Sequence, residues 1–294
     1  MLKYPGKRLR ERLSKGPILL APGAPNALTA RIIEAVGFDT VYVTGAGIAN
    51  SFLGVPDIGL LSLTELADHV AAIREAVALP LIVDADTGFG NALNVGRTVR
   101  LLERSGANAL QLEDQVFPKR CGHFESKRVI EAGEMTSKIK AAVDARTSDD
   151  LIIIARTDAR AALGFEEAIL RANLYKQAGA DVIFVEAPRS LAEVRDIPRL
   201  VPGPQVINIV VGGLTPALSL EDLQALGYAV VIYANAAMQS AILAMREVLT
   251  HLHDHGSLTD ILDRLESFEE RQRLVSKPAF DALEKKYAVP GENS

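Results

Sequence analysis

The sequence predicts a (β/α)8 barrel, and three observations carry that prediction. Eight short apolar, β-branched runs recur along the chain, each closing in small or polar residues. Between many of them lie segments with apolar residues at three- and four-residue spacing, the pattern of helices packed on one face. Polar and charged side chains gather at the C-terminal ends of the runs, where barrel enzymes build their sites. Continuous apolar strands alternating with helices imply a parallel sheet covered on its helix side. A doubly wound sheet fits less well, because "PGAPNA" after the first run is not the GxGxxG turn that such sheets often carry.

In chain order, "MLKYPGKRLRERLSKG" is basic, contains Glu11 and lacks the apolar centre of a signal peptide, so it reads as a short solvated helix. The first strand lies in "PILLAPGAPNA" and is followed by the helix "NALTARIIEAVG"; the second lies in "TVYVTGAG", with "TELADHVAAIREAVA" after it. "PLIVDADTGFG" is the third strand, with helix "NVGRTVRLLERSGA", and "ALQLEDQ" is the fourth. "LIIIARTDAR" and "DVIFVEAP", the fifth and sixth, flank the helix "FEEAILRANLYKQAGA"; "QVINIVVGG" and "AVVIYAN", the last two, flank "SLEDLQALG". Four of these helices end in Gly or Gly-Ala, a common C-terminal stop. "YAVVIYANAAMQSAILAM" is the most apolar stretch, but Asn235, Gln239 and Ser240 interrupt it, so it reads as a strand and a helix and not as a membrane span. The helical patterns past residue 236 exceed the one helix a closed barrel needs. We therefore expect one barrel domain over residues 1–294, with a helical extension at 250–294 that packs on the barrel or on a partner subunit.

Composition supports a sizeable core, with 48% hydrophobic and 23% charged residues and no low-complexity run. The net charge of -5 argues against nucleic acid and points to small-molecule partners. One cysteine cannot form an internal disulfide, so nothing indicates an oxidising compartment and a cytoplasmic location is expected.

That cysteine, Cys121, sits in "FPKRCGHFESKR" among two lysines, two arginines, a histidine and a glutamate. A free thiol is usually a small buried hydrophobe. This setting reads instead as a mobile surface loop whose cations lower the thiol's pKa. In "VDADTGFGN", Asp84 and Asp86 are two residues apart and on a strand would share a face, and Glu113 ends the neighbouring strand. Three carboxylates in one mouth repel each other unless a cation sits among them. Oxygen-only ligands suit Mg2+ or Mn2+ rather than zinc, the alternative being a hydrogen-bonded carboxylate cluster. Arg156 offers a planar fork for a substrate carboxylate or a salt bridge to Glu186 or Asp158. "VTGAG" presents the backbone N–H groups of Thr44, Gly45 and Gly47 to a carboxylate or simply turns the chain. His123, two residues from the thiol, binds substrate or stabilises the loop.

"KRCGH" after a strand ending "LEDQ", with "DADTGFGN" upstream and "ARTDAR" downstream, resembles the isocitrate lyase and phosphoenolpyruvate mutase superfamily, over about residues 16 to 250. The KRCGH element is that of its carbon-carbon lyases, those acting on methylisocitrate or on 2-alkylmalates such as 2,3-dimethylmalate. The resemblance implies Mg2+ among Asp84, Asp86 and Glu113, directly or through water, with Asp57 nearby. It implies that Tyr42, Thr44, Gly45 and Ala46 hold the keto-acid carboxylate and that Arg156, Glu186, Asn208 and Thr215 line the rest. Cys121 becomes the general acid on a gating loop, with Gly122 and His123 beside the substrate, and Tyr42 is the first candidate for the base. A homotetramer that exchanges a C-terminal helix is also implied. The chain departs from the pattern at "NIVVGGLTP", where Val211 replaces a glutamate, and at Thr44, where relatives often have serine. Valine at 211 favours an alkyl arm over a third carboxylate on the substrate. Oxaloacetate decarboxylation or hydrolysis, phosphonate chemistry and a non-catalytic metabolite-binding barrel are the alternatives.

Overall fold

The structure, a computed structural model, describes residues 5–120, 127–210, 212–216 and 218–288. All eight expected strands form: β1 (Leu19–Ala24), β2 (Val41–Val43), β3 (Leu81–Asp84), β4 (Ala109–Glu113), β5 (Ile152–Thr157), β6 (Val182–Val185), β7 (Gln205–Asn208) and β8 (Tyr228–Tyr233). They close into a barrel in sequence order, β1 pairing in parallel with β8 as well as with β2. The helices are α1 (Pro5–Lys15), α2 (Ala27–Val36), α3 (Gly45–Ile48), α4 (Leu63–Ala76), α5 (Ala92–Arg104), α6 (Ala132–Ala145) and α7 (Ala159–Ala162). They continue as α8 (Phe165–Gln177), α9 (Leu191–Leu200), α10 (Leu220–Leu226), α11 (Ala236–His255), α12 (Phe268–Leu274) and α13 (Lys277–Tyr287).

Strand alternation sorts the apolar residues into two layers. Ile82, Ala109, Ile152, Ile154, Val182, Phe184, Val206, Val230 and Ile232 fill the barrel interior. Their neighbours Val83, Leu110, Ile153, Ala155 and Ile183 face outward onto the helices, joining Val70 and Ile73 of α4, Val99 of α5 and Ile139 of α6. The inward set, continued past its apolar residues, brings Asp84, Glu113, Arg156, Glu186 and Asn208 to one end of the barrel. Gly37, Gly106, Gly179 and Gly227 follow α2, α5, α8 and α10 with φ between 98° and 107°, a left-handed conformation that ends a helix cheaply only in glycine.

One expectation for the N-terminal helix changes. Leu9 of α1 is 1% exposed and joins the interior cluster, so α1 is not simply solvated but lays an apolar side chain against the barrel interior. Its polar face is tied down by Arg10, which donates to Asp181 at 2.8 Å and to the Leu151 carbonyl.

The chain divides into two compact units, Met1–Met238 and Gln239–Ser294. The second comprises most of α11, a 3-10 segment at Thr259–Arg264, α12 and α13. Helices α11, α12 and α13 bury none of their residues, and Leu243, Leu249, Phe268 and Phe280 are all more than half exposed. Among the described residues no helix is long and apolar enough to cross a membrane.

Candidate active site

A cavity of about 200 Å³ opens at the C-terminal ends of the strands. Its walls include Tyr42, Thr44, Ala46, Asp57, Asp84, Glu113, Arg156, Glu186 and Asn208, all expected from sequence, together with Lys119, Arg120, Val210, Ala234 and Asn235. A roomier cavity of about 450 Å³ lies beside Leu60, Leu61, Phe89 and Phe117. Its lining is mostly apolar, so the smaller one, where charged groups converge, is the candidate site.

Each side chain arrives there through its strand. The register pairs Glu113 with Arg156 across β4 and β5, and Asp84 with Gln111 across β3 and β4. Asp86 differs from the expectation that it shares a strand face with Asp84. β3 ends at Asp84, and Asp86 has φ 47°, in the left-handed region, so strand alternation does not orient it. A turn does so instead, in which the Asp86 N–H donates to Asp84 Oδ1 at 3.3 Å.

Lys119, the first residue of KRCGH, was not singled out from sequence, and it is the cation at the centre of the acidic group. Its Nζ lies 2.5 Å from Asp57 Oδ1 and 2.8 Å from Asp86 Oδ1, with only 4% of the side chain exposed. Burial would depress its ammonium, but Asp86, Glu113, Asp57 and Asp84 outweigh that and hold its pKa well above the ordinary value. Burial raises the Asp86 carboxyl to about 6 even though Lys119 pulls it down, and it raises Glu113 well above its ordinary value against the pull of Arg156. Among the described residues the Lys119 ammonium therefore sits with four carboxylates, three of them buried.

Arg156 forms the salt bridge to Asp158 that is one of its two sequence readings. It also lines the cavity, and its Nε and Nη2 donate to Asp158 at 2.9 and 3.0 Å. Glu113 and Glu186 stand farther off, at 3.4 and 3.5 Å.

Tyr42 is buried and donates from its hydroxyl to Gln111 Oε1 at 3.2 Å, while Gln111 Nε2 donates to Asp84 Oδ1 at 3.2 Å. Burial, with Asp84 adding to it, pushes the phenol well above its ordinary pKa, so it is held as a donor. Gln111 has no sequence signal beyond its inward position on β4.

The VTGAG turn is partly self-satisfied. Gly47 N–H donates to Thr44 Oγ1 at 3.1 Å and Thr44 N–H to the Ala24 carbonyl, which leaves the amides of Gly45 and Ala46 as the candidates for a carboxylate. A Cβ at position 45 would stand 3.4 Å from Asp84 Oδ2 and 3.5 Å from Asp86 Oδ1, so glycine keeps open the space beside both. Thr215 is buried, 7% exposed, and is not among the residues lining the cavity. Cys121, Gly122, His123 and Val211 lie outside the described residues.

For a metal, the donor chemistry fits: Asp57, Asp84, Asp86 and Glu113 offer only oxygen, and Glu113 Oε1 is a buried oxygen with no hydrogen-bond partner among the described residues. Among those residues no group of three or more His, Cys, Asp or Glu side chains is arranged to ligate one ion.

The family model for phosphoenolpyruvate phosphomutase matches residues 9–253. The chain belongs to this family. It is 45% identical over 282 residues to the 2,3-dimethylmalate lyase of Eubacterium barkeri, covering 96% of this chain and 98% of that one. It is 44% identical over 294 residues to the 2-methylisocitrate lyase of Aeropyrum pernix, covering 96% and 94%. Among solved structures, phosphonopyruvate hydrolase in complex with oxalate and Mg++ superposes with a TM-score of 0.87 at 34% identity, covering 96% of this chain and 99% of that one.

Proposed function

We propose that this enzyme is a Mg2+-dependent carbon-carbon lyase that cleaves a 2-alkylmalate or methylisocitrate-type acid to a 2-keto acid and a short carboxylic acid. The observation that carries the proposal is the meeting, in one small cavity, of the Arg156 fork with Asp57, Asp84 and Glu113 beside the Lys119 ammonium, to which Asp86, outside the cavity lining, is also paired. An oxygen-rich, charge-deficient pocket beside a carboxylate-binding guanidinium suits a metal and a 2-hydroxy acid together.

In this reading Asp84 and Glu113, with Asp57 and Asp86 beside them, hold Mg2+ directly or through water; Mn2+ suits the same donors. The bound ion supplies Lewis-acid stabilisation of the negative charge that develops on the substrate's 2-oxygen. Arg156 takes a substrate carboxylate on its Nη1–Nη2 edge, and the amides of Gly45 and Ala46 take carboxylate oxygens. Glu186 and Asn208, which line the cavity, serve the rest of the substrate. A cavity carboxylate accepts the 2-hydroxyl proton, and Tyr42, kept protonated, orients that carboxylate set through Gln111. The bond between C2 and C3 breaks, C2 becomes the keto carbon, and the electron pair leaves on C3 as a carboxylate-stabilised carbanion. Cys121 gives that carbanion its proton, supported by His123 and Gly122. The support for this role is the cationic sequence around the thiol and the family resemblance.

We further place the enzyme in the cytoplasm, as a homotetramer built through the apolar faces of the C-terminal helices that form its extension.

For the substrate's far end, Val210 lines the cavity two residues after Asn208. Identities of 45% and 44% to the two lyases do not separate their substrates, so our reading of the far end rests on this wall. A polar arm left unpaired against it costs about 1–3 kcal/mol. A dialkylmalate such as 2,3-dimethylmalate is therefore expected to compete better than methylisocitrate. Competition assays read this as specificity constants, and a higher constant for methylisocitrate than for every dialkylmalate tested contradicts it.

A further inference from the structure

We propose that Asp158 is the positioning residue of this site: it aligns the Arg156 guanidinium for a carboxylate ligand through a buried fork shared with Lys127. The identity of the substrate rests on the lyase reading; the geometry does not.

Among the described residues three carboxylates stand near the Arg156 guanidinium, and of these Asp158 makes the short hydrogen bonds to it. Asp158 Oδ2 accepts from Nε at 2.9 Å and Oδ1 from Nη2 at 3.0 Å, a two-point grip that fixes both the plane and the rotation of the group. Glu113 and Glu186, at 3.4 and 3.5 Å, are alternative partners toward which an ungripped guanidinium would swing. The Phe184 ring lies 5.3 Å from the guanidinium carbon and supports the plane. With the Nε–Nη2 edge committed to Asp158, the Nη1–Nη2 edge is the one left for a ligand.

The grip is itself held. Asp158 Oδ1 also accepts from Lys127 Nζ at 2.7 Å, with both side chains fully shielded from solvent. Behind it, Asp114 Oδ1 accepts from the Asp158 N–H at 2.9 Å and Oδ2 from Thr157 Oγ1 at 2.7 Å. Tyr175 of α8 donates its hydroxyl to the same Asp114 carboxylate at 2.7 Å. A line of buried hydrogen bonds thus runs from the outer helix layer through Asp114 and Asp158 to Arg156.

If Asp158 acts through Arg156, its effect disappears when Arg156 is gone. The test is a double-mutant cycle of Asp158→Asn and Arg156→Ala, read on kcat/KM for 2,3-dimethylmalate and on the Kd for oxalate, both with Mg2+ present. Asp158→Asn alone is expected to lower kcat/KM by about 100-fold, and to lower it by less than about threefold further in the Arg156→Ala background. Equal losses in both backgrounds overturn the proposal. So does an Asp158→Asn protein that melts earlier yet keeps kcat/KM and Kd within about threefold of the unaltered protein. If the unaltered protein binds oxalate but turns over no alkylmalate, the lyase reading fails and the Kd cycle alone decides Asp158. Failure of the unaltered protein to bind oxalate overturns the proposal, because Arg156 then receives no carboxylate. Should Asp158→Asn not fold, Asp158→Glu, which keeps the charge but displaces the oxygens, takes its place in the cycle. If neither variant folds, Asp158 belongs to the fold alone and the proposal is overturned.

Discussion

Asp158 lies between Arg156 and Lys127 with its side chain shielded from solvent. Burial alone would raise its carboxyl, but the two cations outweigh burial and hold it well below the ordinary carboxylate range. A group depressed in this way binds its proton more readily in the unfolded chain. Its stabilisation is complete above the unfolded value of about 3.9 and is lost as pH falls from there toward the folded value. Removing one partner of a buried pair typically costs about 3–5 kcal/mol, because the other charges stay buried. Asp158→Asn is therefore expected to lower the urea midpoint most at neutral pH and progressively less below about pH 4. A deficit that stays constant or grows on acidification contradicts the depressed carboxyl.

At the scale of elements, α1 tests how the barrel interior is completed. Leu9 is 1% exposed against interior strand residues, so Leu9→Ala leaves a cavity and is expected to cost about 2–5 kcal/mol of stability. Urea unfolding measures it; a loss below about 0.5 kcal/mol, the range of exposed positions, returns α1 to the solvated helix that its basic sequence suggests. The strands were legible because each is a continuous apolar run, and period-two alternation carried Asp84, Glu113 and Arg156 to the same mouth. Alternation stops where a strand stops. It could not place Asp86, whose left-handed backbone lies beyond β3, nor Lys119, which enters from a connection with no periodicity. Gln111 reads as an ordinary strand residue, since only the closed register shows Tyr42 and Asp84 on either side of it. Asp114 and Asp158 carry the outer network, and neither their sequence position nor their charge distinguishes them from strand caps.

For the whole molecule, the C-terminal helices and the acidic cavity raise separate questions. Helices α11–α13 leave Leu243 at 66%, Leu249 at 61%, Phe268 at 72% and Phe280 at 62% exposure. Apolar surface on this scale is what subunit contacts cover. In the proposed tetramer it is buried, and light scattering at low concentration is expected to give about four times the chain mass of 31.6 kDa. A lone species at the chain mass refutes it. The cavity bears on the proposed activity, which calls for a divalent cation at its oxygen-rich wall and a proton donor for the departing carbanion. The most direct measurement is pyruvate formation from 2,3-dimethylmalate by the unaltered protein and by Cys121→Ser, each with Mg2+ and with excess chelator. Cleavage is expected with Mg2+, none with chelator while the circular dichroism of the fold is kept, recovery on adding Mg2+ or Mn2+, and a kcat about 10²- to 10⁴-fold lower in Cys121→Ser. Undiminished turnover by metal-free protein, or no cleavage of any alkylmalate or of methylisocitrate with Mg2+ present, would contradict the lyase assigned to this chain.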